Sequence, residues 1–158
     1  MKRAIAPMTL VIAFATAFVL GIVPRVQAAE DRECSNASLH GSFGFTSTGT
    51  LNAFPPPLGG PFGEIGRQTF DGQGNTAGIA TASPNGNIAH LTFEGTYEIN
   101  PDCTGSMTLN VFPLNATVTL DFVIDDDGSE LRAITTGNMT GNVETRDYKK
   151  QFKRGRRE

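Results

Sequence analysis

LTFEGTYEINPDCTGSMTLNV, Leu91 to Val111, alternates, turns and alternates again. Leu91, Phe93, Tyr97 and Ile99 fall on one face and Thr92, Glu94, Thr96 and Glu98 on the other. That is the period of a strand with one side against a core and the other in water. Asn100-Pro101-Asp102-Cys103-Thr104-Gly105 then supplies turn chemistry, after which Met107, Leu109 and Val111 resume the apolar face. The stretch reads as a β-hairpin with a cysteine in its turn.

The same writing continues on both sides. Ala116, Val118, Leu120, Phe122 and Ile124 alternate against Thr117, Thr119 and Asp121, and Phe43 and Phe45 lie in an earlier segment of the same kind. Asp71-Gly72-Gln73-Gly74-Asn75 and Asp125-Asp126-Asp127-Gly128 are further tight turns. The strands expected are about 38–49, 62–71, 75–83, 87–94, 95–100, 104–113, 115–125 and 130–145. The fourth and fifth are also readable as one strand bent at Gly95, and the last as two divided near Gly137. No sustained helical stripe interrupts them. The fold class is therefore all-β, a single antiparallel up-and-down β-barrel of about eight strands. A barrel explains consecutive hairpins without long crossings and leaves no exposed edge.

One connection is long. Ala53-Phe54-Pro55-Pro56-Pro57-Leu58-Gly59-Gly60-Pro61 cannot pair as a strand. It reads either as an apolar lid over one mouth or as a rigid surface loop.

The N-terminus sets the compartment. Lys2 and Arg3 precede an apolar run from about Met8 to Val23, followed by Val26-Gln27-Ala28, the pattern of a secretory signal peptide cleaved after Ala28. Residues 1–28 are thus a signal peptide, 29–147 a barrel domain and 148–158 a basic, disordered tail; the location expected is periplasmic or extracellular. Export leaves both cysteines in the mature chain, where Cys34 and Cys103 are expected to form one disulfide.

Residues 29–145 carry 14 acidic and 3 basic side chains, net −11, whereas residues 146–158 carry 7 basic and 2 acidic, net +5. An acidic body excludes nucleic acid as its partner, because such binding neutralises phosphates. No stable membrane insertion of the mature chain is expected, and the oligomeric state is not legible.

The order Cys34, LHGSFGFTSTG, GRQTFDGQGN, GTYEINPDCTGSMTL, DFVIDDDGSELRAI and GNMTGNVETR resembles the small secreted bacterial proteins grouped with the allene oxide cyclase-like, calycin-type barrels. The resemblance implies an eight-stranded barrel with an apolar lumen and a cysteine link from the N-terminus to the Cys103 turn. Members include cyclases that constrain a reactive lipid, polyketide cyclisation catalysts and secreted proteins with no assigned activity. No cyclase motif matches residue by residue, so no catalytic residue is carried over.

No catalytic set, cofactor motif or metal-ligand spacing emerges: His40 and His90 are isolated, and the Asp125–Asp127 run lacks the alternation of a calcium loop. The candidate ligand-binding wall is Phe43, Phe45, Leu91, Phe93, Tyr97, Met107, Leu109, Val118, Leu120 and Phe122. Glu64 is ambiguous. Inward, it would be a lumen acid of raised pKa; outward, it would leave Ile65 in the core. The function expected is a non-catalytic barrel that holds a small apolar molecule or persists as a stable module. The alternative is a cyclase or isomerase shaping a flexible apolar substrate in the lumen.

Overall fold

The computed structural model describes residues 33–137 and 141–151. The signal peptide expected over 1–28 and the tail from residue 152 onward lie outside the described residues. Eight strands follow one another round a closed barrel: β1 (His40–Leu51), β2 (Gly60–Asp71), β3 (Asn75–Pro84), β4 (Ala89–Ile99), β5 (Thr104–Phe112), β6 (Ala116–Asp125), β7 (Glu130–Gly137) and β8 (Val143–Lys150). Each is antiparallel to the next, and β8 closes on β1 from Phe43↔Lys150 to Thr50↔Val143. The all-β up-and-down barrel stands as expected.

The strand division follows the alternatives of the sequence reading. The segments expected at 87–94 and 95–100 form one strand, β4, because Gly95 stays paired opposite Leu109 and its missing Cβ leaves room for the Thr108 carbonyl. The last segment is two strands, β7 and β8. β8 runs to Lys150, past the expected end of the domain at residue 147, and Tyr148 is buried. The charges around Tyr148 made this strand read as a tail, but Asp147 and Lys149 simply point outward on either side of it.

Burial alternates along the strands, most cleanly in β5, where Gly105, Met107, Leu109 and Val111 are buried and their neighbours exposed; the inward set is mainly apolar, with Glu64 and Gln68 of β2 and Glu144 and Arg146 of β8 as polar members. That is the reverse of a membrane barrel. Among the described residues no helix is long and apolar enough to cross a membrane.

Three inward phenylalanines lie over inward glycines of the neighbouring strand. Phe45 pairs with Gly66, Phe93 with Gly78 and Phe122 with Gly105, and a Cβ at any of these glycines would collide with the facing ring. Rings that lie flat across glycines fill a narrow lumen without forcing the strands apart.

Candidate functional site

The connections alternate between two ends. The turns 72–74, 100–103 and 126–129 share one end with the N-terminal segment; the loop 52–59 and the turns 85–88 and 113–115 share the other. The first end is shut. The Cys34–Cys103 disulfide ties the N-terminal segment to the β4–β5 turn, and the Cys34 N–H donates to the Pro101 carbonyl at 3.0 Å. A 3-10 turn, Asn36–Ser38, lies across this end. Its Asn36 Oδ1 accepts from the Ile99 N–H at 3.0 Å.

Tyr97 belongs to this plug. Its hydroxyl lies 3.1 Å from the Asn36 carbonyl and 3.0 Å from that of Leu39, and it accepts from the Gly72 N–H at 3.0 Å. Backbone groups satisfy the phenol, and burial pushes its pKa up, with the Gly74 and Gly72 backbone bonds opposing.

Above the plug the barrel is solid. Phe43 and Phe70 meet edge to face at 5.4 Å between centroids, Phe70 and Tyr97 at 5.2 Å, and Met107, Leu109 and Leu120 are buried around them. Gln68, also inside, accepts from the Tyr148 hydroxyl at 3.1 Å and donates to Thr76 Oγ1 at 2.9 Å. Burial raises the Tyr148 phenol strongly enough to outweigh Arg146 beside it.

The other end contains a cavity of about 110 Å³. Leu91, Phe93, Val111 and Val118 form much of its wall, and Phe54 and Leu58 of the proline-rich loop also line it. The loop is a lining element rather than a surface loop apart from the lumen. Asn85 and Asn87 of the β3–β4 turn each donate to the Pro57 carbonyl at 3.1 Å, which ties it down.

Polar side chains also reach this cavity. Glu64 of β2 points inward and is buried, so Ile65 is the exposed member of that pair at 63%. Facing Glu64, Arg146 of β8 lies with Nη2 3.3 Å from Glu64 Oε2 and donates from Nε to Glu144 Oε1 at 2.7 Å. Glu144 accepts further bonds from Ser47 at 2.8 Å and Thr135 at 3.3 Å. Burial raises the Glu64 carboxyl above its ordinary value, opposed by the Arg146 charge and reinforced by Glu144. For Arg146, burial works against the charge but Tyr148 and the two glutamates prevail, so it stays a cation.

All ten expected wall residues are buried, but only Leu91, Phe93 and Val118 of them line the cavity, together with Glu64. The rest fill the barrel. Arg146, Glu144, Phe54 and Leu58 were missed as site residues. Glu144 and Arg146 share the inward face of β8 with Tyr148, but as charged residues they carried no apolar alternation that could have marked them. His40 and His90 are exposed on the outer wall.

No known family profile matches the chain, and no curated protein does. A solved structure, that of EF1p2_mFAP2b bound to DFHBI, is similar at 16% identity and a TM-score of 0.49, over 77% of this chain and 98% of that one. At that score the likeness carries no argument about ligand or activity.

Proposed function

We propose that this protein is an exported, non-catalytic barrel that holds a small, mainly apolar molecule at one end of its lumen. The carrying observation is the cavity of about 110 Å³ under the proline-rich loop, walled by Leu91, Phe93, Val118, Phe54 and Leu58. The space is well above the roughly 10–15 Å³ that one water needs and below the roughly 300 Å³ at which drug-sized pockets begin, so its mostly apolar walls suit a ligand of only a few heavy atoms. The disulfide is compatible with an oxidising compartment. The resemblance to allene oxide cyclase-like barrels agrees with a lumen site.

Ala82 lines the cavity beside Glu64, so Ala82→Leu should fill it. The test is uptake of an environment-sensitive apolar dye, with mass spectrometry of natively purified protein for a retained molecule. Dye should bind the wild type and be lost in Ala82→Leu while the fold persists. Equal uptake by both, or none by the wild type, would sink the proposal.

Glu64 favours a second reading, a cyclase or isomerase for a flexible apolar substrate. A carboxyl whose pKa burial raises is better suited to pass a proton to a substrate in the cavity. Conversion of a reactive lipid by the wild type but not by Glu64→Gln would favour that reading over simple binding.

A further inference from the structure

The floor of the cavity has a chemical preference of its own. Two polar atoms there are buried without a hydrogen-bond partner, the donor Nη1 of Arg146 and the acceptor Oε2 of Glu64. Both side chains line the cavity, and their relative exposures are only 5% and 8%. Arg146 Nε is spent on Glu144, Glu144 on Ser47 and Thr135 as well, and the Tyr148 hydroxyl beside Arg146 donates to Gln68. Nη2 of the same guanidinium faces that Glu64 Oε2 at 3.3 Å, an ion pair without hydrogen-bond geometry, so the unmet donor and the acceptor belong to one facing pair.

One donor beside one acceptor is complemented by a group that both accepts and donates. A carboxylate head accepts only, and would add a third negative group to two glutamates facing one arginine. An ammonium head donates only, and would leave Nη1 unmet beside a second cation. A hydroxyl answers both. Unmet buried groups are costly, so the complement is selective as well as attractive.

Resting on the binding function above, we propose that the resident ligand is a small apolar alcohol whose body lies under Phe54 and Leu58 and whose hydroxyl accepts from Arg146 and donates to Glu64.

The experiment measures affinities of hexane, 1-hexanol, hexanoate and hexylamine for the purified protein at neutral pH by dye displacement. Hexanol should bind more tightly than each of the others by about tenfold, the worth of one good hydrogen bond to a charged group. Glu64→Leu removes the acceptor and leaves Arg146 paired with Glu144, so it should fold. It should lose the preference for hexanol and bind hexane at least as well. Arg146→Lys, which keeps the charge and deletes Nη1, should lose the preference too.

Hexane binding as tightly as hexanol would overturn the alcohol assignment, with ordered water as the floor's partner, and leave the apolar binding function standing. Tightest binding of hexanoate or hexylamine would overturn it in favour of a charged head. Binding of none of the four would remove both the assignment and the function it rests on.

Discussion

The two ends of the barrel solve the problem of its polar groups in opposite ways. At the disulfide end, Tyr97 and Asn36 are met by backbone groups at fixed distances, and aromatic rings fill the space behind them. At the proline-rich end, Glu64, Glu144 and Arg146 are met mainly by one another, and a cavity adjoins them. Ionisable groups held in an apolar lumen are costly to keep. Their concentration beside the cavity, away from the filled end, is the cost that the proposed binding function would account for.

The largest effect is expected where the hollow end is most exposed to failure. Arg146→Met should destabilise the fold by about 3–5 kcal/mol, because it strands two glutamates in the lumen. Urea denaturation measures it, and a loss below about 1 kcal/mol would show that water already screens the cluster. At the solid end the corresponding lever is the disulfide. Its two cysteines are 69 residues apart, and replacing both by alanine should cost about 4 kcal/mol on the chain-entropy account. Folded, unreduced protein should show no free thiol; reaction of both cysteines would break that half of the comparison.

The same substitution made at both ends sharpens the contrast. Leu109→Ala, in the filled part, should fall near the top of the roughly 2–5 kcal/mol range for such changes, and Leu91→Ala, already beside the cavity, near the bottom. Only Leu91→Ala should alter dye uptake. Equal costs, with uptake unchanged in both, would mean that the two ends are packed alike.

The smallest effect concerns protons. A carboxyl whose folded pKa is raised, as burial raises that of Glu64, binds more protons in the fold than in the unfolded chain. Its contribution to stability is therefore best below the ordinary carboxylate range and is lost as pH rises through the raised value. Relative to wild type, Glu64→Gln should gain a few degrees in melting temperature between about pH 4 and about pH 8. A difference that stays flat across that range would mean that Arg146 holds Glu64 ionised throughout.

The architecture was legible from Leu91–Val111 because a half-buried strand writes its environment at every second residue. Glu64 was ambiguous for a reason that lies in the same strand. Phe62 and Phe70 argued for one face and Ile65 for the other, and only the closed register shows that Ile65 points to solvent. Tyr97 was placed on the inward face, but its backbone partners could not be read, since nothing in the sequence says that residues 36–39 fold across that end. β8 was lost for a different reason. Its outward residues belong to a basic run, and its inward Glu144 and Arg146 are residue types seldom buried, so alternation in polarity was absent even though alternation in burial was present. A chain ending at Asp147 would discard Tyr148, a fully buried ring on which Gln68 depends.

β8 also decides when the molecule can become itself. Seven of the eight ladder seams join strands that are neighbours in sequence, while the eighth joins the first strand to the last. Pairings across so long a stretch of chain form late, because the ordering they demand precedes their reward. A chain that emerges N-terminus first is until then an open sheet with two unpaired edges, and Glu64 has no counter-charge. Strand eight brings that counter-charge with it. The latch of the barrel and the floor of its cavity are thus one segment, so an unfinished chain has neither a closed wall nor a formed pocket.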